Sequence, residues 1–141
     1  MKFIRLAQLD FLPRSADCGL FVLRVWLGLS ILILHGWGKL VSFSEKSGGF
    51  PDPLGVGPKA SLAMLLFGEV VCAALLAVGF LTRFSAAVLA FAMGVAFFMQ
   101  HKGVLSGPGN GELAFIYLAG FVALFVAGGG RFSVDEKLGK S

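Results

Sequence analysis

Four apolar runs, at about 18–41, 60–81, 84–100 and 112–127, constrain this chain more than any other feature. At about 1.5 Å of rise per residue, about 20 helical residues cross the roughly 30 Å hydrocarbon core of a bilayer. A segment in lipid must satisfy its own backbone N–H and C=O groups, and a single run can do so only as a helix. Composition agrees: 57% of residues are hydrophobic and 14% charged, with a mean hydropathy of +0.86, against about 25% charged in ordinary soluble domains. The expected fold class is therefore an all-α membrane protein, a four-transmembrane-helix bundle over 18–128. An amphipathic segment (1–17) precedes it and a polar tail (129–141) follows.

The connections support that division. The stretch GGFPDPLGVGP carries Pro51, Pro53 and Pro58, so no regular helix continues through it. Thr82–Arg83 is a turn short enough to make the second and third runs an antiparallel hairpin, and the GGG at 128–130 ends the fourth run. In the first segment Phe3, Leu6 and Leu9 fall on one face beside Lys2, Arg5 and Arg14, as in an interfacial helix. No A-x-A-like site follows, so a cleaved signal peptide is not the favoured reading.

Orientation follows from the cations outside the runs. Lys2, Arg5, Arg14, Arg83, Arg131, Lys137 and Lys140 flank one side and Lys39, Lys46, Lys59 and Lys102 the other. Seven against four places both termini in the cytoplasm. The net charge of +4 thus reads as topology and phospholipid contact, with the bilayer rather than nucleic acid as partner. Cys18 and Cys72 form no CxxC and are expected as buried membrane thiols. Ala119, Ala123 and Ala127 share a face of the fourth helix, and Ala90 and Gly94 one of the third. Small stripes of this kind suit close helix contacts.

Ionisable side chains at membrane depth mark candidate chemistry, because each is costly unless paired or hydrated. Arg24, Gly28, Ile31, His35 and Lys39 lie on one stripe of the first helix. His35 is about 9 Å and Glu69 about 13 Å below the outer helix ends, so the two can meet if those helices pack together. Arg24 lies about 10 Å deeper than Glu69 and suits the inner half or a snorkelling pose. His101 and Glu112 occupy the outer ends of the third and fourth helices. His35, Lys39, Glu69, His101 and Glu112 can therefore converge, with Glu69, His35 and Lys39 as a proton-handling set. The plainer alternative is a buried ion pair that fixes helix packing. No metal site is assigned, since His-x-His and Cys spacings are lacking.

The stretches LRVWLGLSILILHGWGKL (23–40), GEVVCAALLAVGFLTR (68–83), GNGELAFIYL (109–118) and GGGRFSVDEKL (128–138) resemble the DoxX family of small bacterial membrane proteins. The carrying pattern is an Arg entering the first helix, a G-x-x-K end, a Glu in the second helix, a G-x-x-T-R turn and a terminal G-x-G-x-x-S-x-D. The resemblance implies a four-helix bundle in the bacterial inner membrane, with Arg24, Lys39, Glu69, Arg83 and Asp135 at recurring polar positions. Arg24, Arg83 and Asp135 are expected in charge-pairing roles. The family's likeness to quinone-linked and thiol-redox subunits implies an accessory oxidoreductase subunit, with quinone as the cofactor at His35, Lys39, Glu69, His101 and Glu112. No flavin, haem or iron–sulfur motif occurs in the sequence, so electrons are expected from a partner or a bound quinone. Two alternatives stay open: a scaffold that recruits protein partners or forms a homo-oligomer, and a carrier of small molecules or metal ions.

Overall fold

A computed structural model describes residues 2–139; Lys140, counted above among the cytoplasmic cations, lies outside the described residues. The helices are α1 (Lys2–Ala7), α2 (Ala16–Val41), α3 (Phe43–Lys46), α4 (Pro58–Val78), α5 (Thr82–Gln100), α6 (Glu112–Ala127) and α7 (Val134–Leu138). No strand occurs among the described residues. By length and composition α2, α4 and α5 are each able to cross a membrane, whereas α6 has 16 residues and is shorter than those three. The loops 42–57 and 101–111 lie at one end of the bundle, the loop end. The turn 79–81 and residues 128–139 lie at the other, the tail end.

The α4–α5 turn sits earlier than its composition suggests. Gly79 takes a left-handed φ of 78° and the N–H groups of Gly79 and Phe80 return to the carbonyls of Leu75 and Leu76, which terminates α4 at Val78. Leu81 is also left-handed, and Thr82 and Arg83 are already helical rather than forming the turn.

The core is built from Ile31, Leu76, Leu89, Met93, Phe121 and Leu124 with their neighbours. On α6 the buried positions are Ala114, Tyr117, Phe121 and Leu124, a single stripe at three- and four-residue spacing. Ala119, Ala123 and Ala127 are exposed instead, and nothing stands within 4 Å of a Cβ built on Gly94. The small-residue stripe of α6 therefore faces outward, because the large apolar stripe takes the inner face, whereas Ala90 of α5 packs against the core as expected. Glycines do matter where α2 crosses α4. A Cβ on Gly28 would stand 2.7 Å from the Ala73 carbonyl oxygen, and one on Gly36 would stand 2.6 Å from that of Glu69. Only a hydrogen at those positions lets the two backbones meet.

Each of the three longest helices widens into a π-helical turn: Leu32–Gly36 in α2, Phe67–Cys72 in α4 and Val95–Gln100 in α5. Such turns break the regular hydrogen-bond ladder and re-aim side chains, and they recur at functional sites. Of the two cysteines, Cys72 is buried but Cys18 is exposed, against expectation. Cys18 lies in the first turn of α2, where Ser15 caps the helix by accepting the Cys18 N–H.

Candidate functional site

Two of those π turns place the central contact. Glu69 lies inside the α4 turn and Lys39 follows the α2 turn by three residues. The Lys39 Nζ donates to Glu69 Oε2 at 2.7 Å; the glutamate side chain is 4% exposed and the lysine side chain 23%. The carboxylate is thus closed off, while the lysine side chain stays partly exposed. Burial of this kind is tolerated because each charge is met by the other at hydrogen-bond distance.

His35 sits one turn before Lys39. Its ring meets Tyr117 of α6 edge-on, with centroids 5.9 Å apart, and Tyr117 in turn stacks on Phe121. Tyr117 was not singled out from the sequence. The available signal was its being the one tyrosine in a chain with fifteen phenylalanines, a hydroxyl where a plain ring is the default.

The wider constellation does not close. Among the described residues, no hydrogen bond, ion pair or ring contact joins His35, His101 or Glu112 to the Lys39–Glu69 pair. His101 Nδ1 lies 2.8 Å from the Gly109 carbonyl, and its Cβ packs where a side chain at Gly111 would stand, so it closes the 101–111 loop. Glu112 is exposed at the start of α6, its N–H donated to Asn110 Oδ1 at 3.0 Å. Depth alone could not tell these two apart from the central pair. No group of three or more His, Cys, Asp or Glu able to hold a metal ion forms among the described residues.

A second polar cluster occupies the tail end. Arg24 is fully buried rather than snorkelling. Its Nε donates to the Gly129 carbonyl at 3.2 Å, Nη1 to those of Ala77 at 2.5 Å and Leu76 at 3.5 Å, and Nη2 to that of Phe132 at 2.5 Å. The last carbonyls of a helix lack partners in their own helix and carry its negative end. Arg24 meets those of α4 and ties them to the GGG segment. Asp135 does the converse for α5: its carboxylate accepts the N–H groups of Leu81 at 2.7 Å and Thr82 at 2.8 Å. Burial alone would raise the Asp135 pKa. The hydrogen bonds from Thr82 and Leu81, with the positive charge of Arg24, outweigh it and hold the carboxyl below its ordinary range.

The motif glycines fit this knot. A Cβ on Gly79 would lie 2.7 Å from that of Ser133 and 2.8 Å from the Arg24 guanidinium carbon. Ser133 caps α7 by accepting the Glu136 N–H. Arg83, expected to set topology, also donates from Nε to the Phe125 carbonyl at 2.9 Å and packs over the Phe125 ring, joining the start of α5 to the end of α6.

The hydrogen bonds of this cluster join the ends of α4 and α5 to the segment 129–135. The Lys39–Glu69 pair is different: its cation and carboxylate meet each other rather than backbone groups at a helix end, and the lysine side chain is partly exposed.

The description DoxX belongs to the family model that matches residues 19–102. That span contains Arg24, His35, Lys39, Glu69, Arg83 and His101, while Glu112, Tyr117 and Asp135 lie beyond it. No curated protein and no solved structure matches the chain. A family match over more than half of the sequence, reaching from the first apolar helix past the third, places this protein in the DoxX family.

Proposed function

We propose that the protein is an accessory subunit of a quinone-linked or thiol-redox process in the bacterial inner membrane. It crosses the bilayer four times with both termini in the cytoplasm, and Lys39 and Glu69 form its proton-handling site in the outer half. The observation that carries this reading is the 2.7 Å Lys39–Glu69 contact beside two π turns. A charge pair at that depth is costly, and helix packing alone could be served by apolar residues of similar size.

The residues suit a quinone headgroup. Lys39 offers donors to a carbonyl oxygen, Glu69 accepts or returns a proton, and His35 with Tyr117 supplies a ring-lined neighbour. A bound quinone would supply two-electron, two-proton chemistry, with a partner protein giving or taking the electrons. Lys39 would orient the oxygen by donating a hydrogen bond to it.

Co-purification tests this. Quinone extracted from the purified wild type should be near stoichiometric and should fall severalfold in Glu69→Gln and Lys39→Met. Full retention in Glu69→Gln would refute the assignment of these residues. A second reading, a scaffold, is favoured by the exposed Ala119, Ala123 and Ala127 face of α6, which another helix could approach closely. A cysteine cross-link between copies at Ala123 would support it.

A further inference from the structure

The loop end holds a groove that the Lys39–Glu69 pair does not line. It measures about 280 Å³ and runs between α4 and α5, with Leu65 on one wall and Phe91 and Val95 on the other. Phe50, Pro53 and Leu54 of the loop before α4 line it as well. That loop is fixed. Asp52 accepts the N–H groups of Val56 at 3.0 Å and Gly57 at 2.7 Å, and the Ser61 hydroxyl at 2.6 Å. A polar residue flanked by two prolines thus turns back onto the start of α4 while its apolar neighbours cover the groove.

Three observations identify what such a groove takes. Its walls are almost wholly apolar and lie on two helices able to cross a membrane, so hydrocarbon, not water, is the medium beside it. Its polar lining residues, Ser61 and Gln100, lie near the loop-end termini of their helices, so polarity is confined to one end. Exposed cations flank that same end: Lys59 is two residues before Ser61 and Lys102 two residues after Gln100. No carboxylate lines the groove, and that of Asp52 is taken up by its own loop.

We propose that this groove binds one acyl chain of a phospholipid, held under residues 50–54, with the lipid phosphate met by Lys59 and Lys102. The lipid enters sideways between α4 and α5, its chain along Phe91 and Val95 and its headgroup at the loop end. The assignment stands apart from the quinone reading, because Lys39 and Glu69 line none of it.

The test uses the full chain in vesicles of phosphatidylglycerol and phosphatidylcholine containing a phosphatidylglycerol with a photoactivatable diazirine in its acyl chain. Mass-spectrometric mapping should find label concentrated on Leu54, Phe91 and Val95. Ala92→Phe, which fills the groove, should abolish that label while leaving label on lipid-facing Phe98 and Val126. Leu54→Ser, at a side chain exposed on the loop and outside the Asp52 hydrogen bonds, should reduce it severalfold, and Lys59→Gln with Lys102→Gln should weaken it. Even labelling of all lipid-facing positions, or groove label unchanged in both Ala92→Phe and Leu54→Ser, overturns the proposal. So does a prenyl-quinone photoprobe that labels the groove while the phospholipid does not. Glu69→Gln should leave the groove label as it is, so failure of the quinone reading remains distinguishable from failure of this one.

Discussion

Lys39 and Glu69 can be asked separately about stability and about chemistry. Removing one partner strands a charge in a poorly hydrated place, so Glu69→Leu or Lys39→Leu should each cost about 3–5 kcal/mol, with Lys39→Leu at the lower end because that side chain is partly exposed. Replacing both by leucine removes the stranded charge and should recover most of the loss. Thermal unfolding in detergent reads the stability. Quinone content of the double variant decides the role: a stable, quinone-free protein marks a functional pair, and a stable, quinone-loaded one marks packing alone. The glycines beside the pair give a second residue-scale prediction. Gly36→Ala forces a methyl group against the Glu69 carbonyl and should destabilise by about 1–3 kcal/mol. Gly38→Ala, where nothing lies within 4 Å, should be neutral or stabilise by up to about 1 kcal/mol, since alanine is the better helix former.

Elements are joined at the tail end by a charge arrangement that answers the helix dipoles. Arg24 meets the carbonyl end of α4 and Asp135 meets the amide end of α5. Asp135→Asn should cost about 0.5–2 kcal/mol, the range for a lost helix cap, and Arg24→Gln more, because several carbonyls lose their donor. The pH dependence has a definite sign. The native Asp135 pKa is depressed, so its stabilising contribution is present in full above the ordinary aspartate value of about 3.9. It is lost as pH falls below that value and through the native one. Unfolding between pH 5 and pH 2 should therefore show an acid limb that flattens in Asp135→Asn. An equally steep limb in that variant would assign the acid sensitivity to other carboxylates. The sequence displayed the parts of this knot as separate motifs but not their partners. Arg24 and Gly129 are 105 residues apart, and no local pattern tells a snorkelling arginine from one that caps another helix. Depth arithmetic along the helices set His35 near the level of Glu69 and Lys39 one turn higher, so the meeting of the first two helices was legible but not the partner: the longer lysine side chain reaches the carboxylate, while the His35 ring meets Tyr117. The dispersal of His101 and Glu112 was not legible either, since it depends on how a glycine-rich loop closes.

For the molecule as a whole, the number of membrane crossings rests on α6. Its 16 residues reach about 24 Å, short of the roughly 30 Å core. Yet α6 runs beside α5 for nearly the full length of that helix. Phe97 and Phe115 meet at the loop end with ring centroids 5.2 Å apart, and Arg83 reaches the Phe125 carbonyl at the tail end. If α5 spans, α6 must lie at the same depths, and local thinning of the bilayer can absorb the shortfall at modest cost. Leaving α6 outside would also strip cover from Leu89 and Met93, which pack in the same core as Phe121 and Leu124. The proposed four crossings would put residues 44 and 106 on one side and residue 137 on the other. In a Cys18→Ala background, where Cys72 is shielded by burial, Ser44→Cys and Ser106→Cys should react with a membrane-impermeant maleimide in intact cells. Lys137→Cys should react only after lysis. Reaction of both Ser106→Cys and Lys137→Cys in intact cells would mean that α6 returns without crossing, and would leave the carboxyl terminus on the same face as the lipid groove.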